Sequence, residues 1–334
     1  MRTIVIVGTL LCMSAGETIS DVCVVIPAYK TRNEILTVLE QIPGIVTRII
    51  VIDDACPDGT GELVQKNSSD KRVEVIFNKE NLGVGGAMVA GYRKALEQNH
   101  QVVVKLDSDG QMDPSRIPQL IGPIVRGQAD YAKGNRFDSL EDLEQMPKIR
   151  IFGNAVLSIM SKASSGYWQI TDPTNGFTAI HRTVLQRIHL GKLRQGWFFE
   201  SDMLFRLSII KAVVADVPMP ASYGLEKSNL NIRKVIFEFP TRYGINHFKR
   251  IFYLYYLREW SAASLELPAG FLLAAGGLLA GINFWIRGIE TSMPATPGQV
   301  MLSAVPMILG FQLILAFVSS DISGEPSKPR QFDN

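Results

Sequence analysis

Between residues 21 and 230 one pattern repeats: a short β-branched run, a polar turn, then a stretch with helical period. The runs Val22 to Pro27, Arg48 to Asp53, Val73 to Phe77 and Val102 to Leu106 read as strands. Helices are predicted over Asn33 to Gln41, Gly59 to Lys66, Gly83 to Gln98 and Pro114 to Val125. Strand alternating with helix leaves few folds open, and the one it favours is an α/β layer on a mostly parallel sheet. In such sheets the ligand site lies beyond the carboxyl ends of the strands, and the polar motifs of this chain sit at those ends.

The 334 residues allow a large core and a second module. A composition of 46% hydrophobic against 20% charged residues excludes a disordered chain. The net charge of +2 supplies no global field for nucleic acid, so nucleic-acid binding is not expected. Cys12, Cys23 and Cys56 are odd in number and lack metal-ligand spacing, which points to a reducing compartment.

The mean hydropathy of +0.12 traces to the C-terminal region. Twenty residues without a charge run from Leu267 to Ile286, and at about 1.5 Å per residue they reach ~30 Å, one hydrocarbon thickness. A second uncharged stretch has its apolar part near Val300 to Val318, joined to the first by the Pro-bearing segment Gly288 to Gln299. The pair reads as a two-helix transmembrane hairpin. The bland alternative is a pair of buried core helices; the stripe Gly270, Ala274, Gly277, Gly281 suits close helix contact in either setting, and a homo-oligomer through the hairpin is a further expectation. Arg233, Lys234, Arg242, Lys249, Arg250 and Arg258 precede the first span, Lys328 and Arg330 follow the second, and Arg287 alone lies between. That asymmetry places the bulk of an integral membrane protein of the cytoplasmic membrane in the cytoplasm. From Ile232 to Trp260 those cations mix with aromatic residues, as in amphipathic helices lying in the headgroup layer; packing on the soluble domain is the alternative.

The expected organisation is therefore an N-terminal apolar segment 1–20, a catalytic domain 21–231, juxtamembrane helices 232–264, two transmembrane helices 265–320 and a cytoplasmic tail 321–334. Arg2, the apolar run Ile4 to Cys12 and Ser14-Ala15-Gly16 imitate a secretory signal. Export conflicts with a cytoplasmic catalytic domain, so an uncleaved anchor or a start at Met13 is the preferred reading.

Three strand ends carry the chemistry: Pro27-Ala28-Tyr29, Asp53-Asp54 with Pro57-Asp58-Gly59-Thr60, and Asp107-Ser108-Asp109-Gly110-Gln111. Carboxylates gathered at one edge repel unless a cation joins them. Two carboxylates one residue apart plus an amide oxygen suit Mg²⁺ or Mn²⁺ bound with a diphosphate.

The set Val-Ile-Pro-Ala-Tyr (25–29), Asp-Asp-Ala-Cys-Pro-Asp-Gly-Thr (53–60), Asn-Leu-Gly-Val-Gly-Gly-Ala (81–87) and Asp-Ser-Asp-Gly-Gln-Met-Asp-Pro (107–114), in this order, closely resembles the inverting glycosyltransferases of the GT-A fold, glycosyltransferase family 2. Within them the chain looks like the polyprenyl-phosphate branch, relatives of dolichyl-phosphate mannose synthase and bacterial undecaprenyl-phosphate sugar transferases. The resemblance covers residues 21 to 230 and implies a Rossmann-like GT-A domain that uses a nucleotide-diphosphate sugar.

It also implies roles for single residues. Pro27, Tyr29 and Asp54 would surround the base and ribose, Asp107 would approach ribose or metal, and Asp109 and Gln111 would ligate Mg²⁺ or Mn²⁺. Asn81, Gly83, Gly85 and Gly86 would open a helix near the base, or else serve tight packing. The family usually continues Tyr-Asn-Glu, whereas Tyr29 is followed by Lys30-Thr31, so a carboxylate contact to the base is missing or comes from Glu34. On the acceptor side Arg136 matches one of two phosphate-holding arginines; Arg150 or Lys148 would be the second, on a helix that includes Asn154. Asp202, with Glu200 adjacent, aligns with the acidic residue that acts as base toward sugar hydroxyls. A phosphate monoester has its second pKa near ~6 and needs no base, so Asp202 is expected to orient the sugar or Arg136. Lys227 would close over the donor diphosphate, and His181, His189 and His247 are read as structural.

The expected activity is transfer of a sugar, from UDP-hexose or UDP-N-acetylhexosamine before GDP-mannose, to the phosphate of a polyprenyl lipid. The rivals are transfer to a sugar hydroxyl, a processive synthase, whose Gln-x-x-Arg-Trp motif is absent here, and a non-catalytic membrane scaffold, which predicts lost metal ligands.

Overall fold

A computed structural model describes residues 21–136, 148–219 and 232–333, and the chain divides into two units, Met1–Tyr243 with Pro326–Asn334 and Gly244–Glu325. The first unit is built on a seven-stranded sheet of order β3-β2-β1-β4-β6-β5-β7. Its strands are β1 (Val22–Ala28), β2 (Arg48–Asp53), β3 (Val73–Phe77), β4 (Val102–Lys105), β5 (Tyr131–Asn135), β6 (Thr178–His181) and β7 (Val214–Pro218). The first four are mutually parallel, as the sequence pattern predicts. β6 enters antiparallel between β4 and β5, while β5 and β7 pair parallel. This α/β sheet has the layout of a GT-A-like fold.

Each parallel strand is followed by a helix that covers one face: α1 (Ile35–Glu40), α2 (Thr60–Asn67), α3 (Gly83–Glu97) and α4 (Ile117–Val125). The remaining helices are α5 (Lys148–Ser165), α6 (Arg182–Arg187), α7 (Phe199–Ile209), α8 (Ile232–Ile251), α9 (Ala262–Thr291) and α10 (Pro297–Ser323). Every residue of β1 is buried, because helices cover both faces of a parallel sheet and a strand so placed is a continuous apolar run. Alternate residues feed two cores, Val22, Val24 and Ile26 on one face and Cys23 and Val25 on the other.

The juxtamembrane reading needs correction. Phe239 and Tyr243 of α8 are buried against Phe198 with Leu157 and Met160, and the Tyr243 hydroxyl lies 2.7 Å from Ser201 Oγ. Aromatic edge contacts to Phe198 therefore carry the first unit past 231, to Tyr243. Arg250, counted among cations facing headgroups, is buried in a two-point ion pair with Asp321, Nη1–Oδ1 2.7 Å and Nη2–Oδ2 2.8 Å.

In the second unit α9 and α10 are both long and apolar enough to cross a membrane, with 11% of each apolar window buried, where the core helix of a soluble protein would be mostly buried. Large apolar side chains such as Leu272, Leu279, Trp285, Leu302 and Leu315 point outward. The small-residue stripe lies between the two helices: a Cβ on Gly270 would stand 2.9 Å from the Gly310 carbonyl, and one on Gly277 2.8 Å from the Met307 amide.

The expected tail 321–334 also divides. Asp321 to Ser323 complete α10, whereas Arg330–Phe332 form a 3₁₀ turn on the first unit. The carboxylate of Asp130, buried just before β5, explains the docking: it accepts the amides of Arg330 (2.8 Å), Gln331 (2.7 Å) and Val213 (2.8 Å). The apolar segment 1–20 lies outside the described residues.

Candidate active site

The carboxyl ends of β1, β2 and β4 are sewn together by short side chains. Ser108 Oγ donates to the Pro27 carbonyl at 2.8 Å and accepts from Thr31 Oγ1 at 2.9 Å, which ties the acidic turn to the end of β1. Asp53 and Asp54 are both buried and differently employed. Asp53 takes the amides of Cys56 (2.8 Å) and Gly61 (2.7 Å) and so shapes the turn into α2. Asp54 Oδ1 takes the Asn78 side-chain amide (2.7 Å) and the Leu82 amide (3.0 Å), fixing the segment that begins α3. Tyr29 is exposed at the rim, with the Lys30 ammonium 5.5 Å from its ring centre. Pro27, Tyr29 and Asp54 thus share one edge.

Asn81 and Gly85 both take part in hydrogen bonds with backbone groups. Asn81 Oδ1 accepts the Gly83 amide at 3.1 Å, a local turn. Gly85 donates its amide to the Gln195 carbonyl at 2.6 Å, and a Cβ there would stand 2.8 Å from that oxygen. Backbone approach between α3 and the 194–195 segment requires the glycine, so packing is the role observed for Gly85.

The acidic turn follows β4. Asp107 is half-buried and accepts from Lys105 Nζ at 2.6 Å; the same ammonium lies 3.3 Å from Glu200 Oε1 on α7. Burial works against the Lys105 charge, and the carboxylates of Asp107 and Glu200 outweigh it and hold its pKa above the usual lysine value. Asp109 Oδ1 accepts the Gln111 amide at 3.0 Å, with Gly110 left-handed at φ 74° between them. The donors offered here are oxygens on a partly exposed turn, and no cluster of three His, Cys, Asp or Glu forms a closed cage among the described residues. That chemistry fits Mg²⁺ or Mn²⁺, which keeps waters and takes phosphate oxygens from its substrate.

β6 connects this turn to the region of Arg136. Thr178 pairs with Lys105 on one flank and with Lys133 on the other, so the segments that follow both lysines leave the same sheet edge. Arg136 stands just past β5 and pairs at two points with Asp172, Nε–Oδ2 2.7 Å and Nη2–Oδ1 3.1 Å. Asp172 is wholly buried while the Arg136 side chain keeps 35% exposure, so a buried carboxylate orients a part-exposed guanidinium. Lys133 is buried, donates to the Asn175 carbonyl, and is pushed down to about 8 by burial, against the charges of Asp172 and Glu200.

Asp202 lies in the first turn of α7 and is buried. Its Oδ2 accepts Arg206 Nε at 2.9 Å, one turn along α7, and the Arg194 amide at 3.1 Å. Asp172 is the carboxylate that orients Arg136, and Glu200 is the α7 carboxylate that reaches the Lys105 ammonium. The sequence assigns no role to Lys105, Lys133 or Asp172. A lone lysine inside a wholly apolar strand, as at Val104-Lys105-Leu106, was the available signal, because a buried ammonium demands a carboxylate. The side chains of Lys148, Arg150 and Asn154 on α5, and Lys227 altogether, lie outside the described residues.

Comparison with known proteins places this geometry. A family model, Glycosyl transferase family 2, matches residues 23–189. The chain is 29% identical over 202 residues to the undecaprenyl-phosphate mannosyltransferase of Micrococcus luteus, covering 59% of this chain and 82% of that one. It is 26% identical over 213 residues to the UDP-N-acetylglucosamine–dolichyl-phosphate N-acetylglucosaminyltransferase of Methanococcus voltae, covering 60% and 84%. Among solved structures, the glucosyl-3-phosphoglycerate synthase of Mycobacterium tuberculosis, in complex with Mn²⁺, UDP-glucose and phosphoglyceric acid, superposes with a TM-score of 0.51 at 17% identity over 69% of this chain and 79% of that one. That likeness establishes the shared fold.

Proposed function

Because this chain belongs to glycosyl transferase family 2, and is a glycosyltransferase, we propose that it moves a sugar from a nucleotide-diphosphate donor to the phosphate of a polyprenyl lipid at the cytoplasmic face of a membrane. The observation that carries the reading is the Arg136–Asp172 pair. A part-exposed guanidinium oriented by a buried carboxylate is a cation of the kind that binds phosphate oxygens. The names of the two relatives, both transferases to a polyprenyl or dolichyl phosphate, agree with it.

The edge with Pro27, Tyr29 and Asp54 receives the nucleotide. Asp107, locked by Lys105, faces ribose and diphosphate, and Asp109 and Gln111 would hold Mg²⁺ or Mn²⁺. When bound, that ion supplies charge stabilisation for the departing diphosphate. Arg136 holds the lipid phosphate, with Arg150 proposed as its second cation and Asn154 beside it; Lys227 is assigned to the donor diphosphate. A phosphate oxygen forms the new bond to the anomeric carbon as the bond from that carbon to the diphosphate oxygen breaks, with inversion. At neutral pH the monoester, with a second pKa near ~6, is already largely dianionic, and no residue need take a proton. The apolar hairpin confines enzyme and acceptor to one surface, which raises their effective concentration.

The test is incubation of membranes holding the protein with undecaprenyl phosphate, Mn²⁺ and single radiolabelled nucleotide sugars. A mannose donor and UDP-N-acetylglucosamine come first, given the relatives. The reading expects label to become organic-extractable and acid-labile with one donor; no transfer from any donor contradicts it.

A further inference from the structure

We infer that Lys105 is a positioning residue for donor binding: its buried ammonium joins Asp107 of the acidic turn to Glu200 of α7 and sets the direction in which the Asp107 carboxylate points. The inference rests on the transferase reading of the site. The Lys105 side chain is 1% exposed, Asp107 29% and Glu200 11%, so the ammonium is inside and the carboxylate it holds stands at the opening. Nζ lies 2.6 Å from Asp107 Oδ1 and 3.3 Å from Glu200 Oε1. The surroundings leave these groups little room. A Cβ added to Gly176, next to the start of β6, would touch Lys105 Nζ and stand 2.7 Å from Asp107 Oδ2 and 3.1 Å from Met112 Cε. The Asp107 amide donates to Met112 Sδ at 3.4 Å.

This arrangement has a chemical purpose. Asp107 belongs to a turn that must receive a diphosphate, and an aspartate free to rotate would spend binding energy on being ordered. One ammonium bonded to Asp107 removes that rotation and cancels part of the repulsion between Asp107 and Glu200. Because Lys105 lies in the ladder of the sheet, opposite Thr178, its anchor point is fixed by backbone pairing. Glu200 transmits the register of α7 to the same ammonium, so the donor-side turn and the helix across the site are set by one charge.

Three variants of the full-length protein test this: Lys105→Met, Lys105→Met with Glu200→Gln, and Gly176→Ala. The readouts are calorimetric binding of UDP and of GDP with Mn²⁺, thermal unfolding, and donor and acceptor KM in the transfer assay. Loss of an orienting partner costs about 10–100-fold in such sites, so Lys105→Met is expected to weaken nucleotide binding and raise donor KM by about tenfold or more, with acceptor KM unchanged. Adding Glu200→Gln relieves the two facing carboxylates and is expected to return the unfolding temperature toward wild type without restoring nucleotide binding. Gly176→Ala keeps every charge and is expected to raise donor KM by displacing Lys105 and Asp107. Wild-type nucleotide binding in folded Lys105→Met, or its recovery together with stability in the double variant, overturns the inference. Calorimetry reads nucleotide binding without any acceptor, so it separates failure here from failure of the lipid-phosphate reading.

Discussion

Arg136 and Asp172 form a two-point ion pair, Nε–Oδ2 2.7 Å and Nη2–Oδ1 3.1 Å, in which the carboxylate is wholly buried and the guanidinium is not. The pair ties the end of β5 to the loop before β6 and sets a part-exposed guanidinium at the edge that also carries the acidic turn. Removing one partner of a buried pair leaves an uncompensated charge, at about 3–5 kcal/mol when both are buried. Because Arg136 keeps contact with water, Asp172→Asn should cost about 1–2 kcal/mol of stability. It should also raise acceptor KM while nucleotide binding stays at the wild-type level. Arg136→Lys should lose most transfer, since an ammonium cannot reproduce a two-point fork. Acceptor titrations at saturating donor check both.

Asp109→Ala should lower transfer by at least about a hundredfold and leave the protein folded and membrane-bound, because the side chain stands on a partly exposed turn and carries no core packing. A Mn²⁺ titration of activity, with the far-ultraviolet spectrum as control, reads this. Unchanged activity contradicts the assignment of Asp109 and Gln111 to the ion.

Asp202→Asn separates the two acceptor chemistries. Asp202 supports Arg206 and the Arg194 amide, so the phosphate-acceptor account expects turnover near wild type and a loss of about 1–2 kcal/mol of stability from the weakened charge-assisted bonds. Collapse of turnover in a protein of wild-type stability would favour a hydroxyl acceptor with Asp202 as its base.

Asp130 fastens the C-terminal segment. Replacing it by Ala leaves the amides of Arg330, Gln331 and Val213 without their acceptor, at about 1–3 kcal/mol for the unmade bonds. Truncation after Glu325 should lower the unfolding temperature by the same route, because it removes Phe332 from its contact over Gly127 as well. Differential scanning calorimetry of both variants checks the docking.

His181 supplies a pH signature. Burial, with Arg182 adding to it, pushes its imidazole down to about 4, and its neutral Nδ1 accepts the Thr183 amide at the start of α6. The unfolded chain binds this proton near pH ~6.5 and the folded one only near pH 4, so the unfolded state carries more protons between them. Stability is then full above pH ~6.5 and falls as pH drops toward 4. His181→Asn keeps a capping side chain and should show a flatter decline in unfolding temperature over that window than wild type.

Much of the fold was legible because parallel strands buried on both faces announce themselves as apolar runs. β2 and β3 begin and end where the pattern put them, and β1 extends one residue further to Ala28. β5 takes in Gly134 and Asn135, which composition alone reads as loop. The antiparallel β6 was not marked, since four residues carry too little periodicity to show direction. The positions of the acidic turn and of Arg136 just past β4 and β5 were legible from motif order. Their supports were not: Asp172 and Glu200 join the site through three-dimensional pairing with Arg136 and Lys105, and sequence spacing carries no record of either contact. Phe239, Tyr243 and Arg250 misled for a related reason. An aromatic–cationic stretch has the same composition whether it meets headgroups or, as here, a buried Phe198 and a buried Asp321.

The central claim is that a lipid phosphate takes the sugar. It is tested most directly by ³¹P nuclear magnetic resonance of the reaction of purified protein, its preferred donor and Mn²⁺ with undecaprenyl phosphate, run beside the same lipid as the free alcohol. The account predicts conversion of the monoester resonance to a phosphodiester in step with sugar transfer, and no transfer to the alcohol. Transfer with the monoester signal unchanged, or equal transfer to the alcohol, would contradict it.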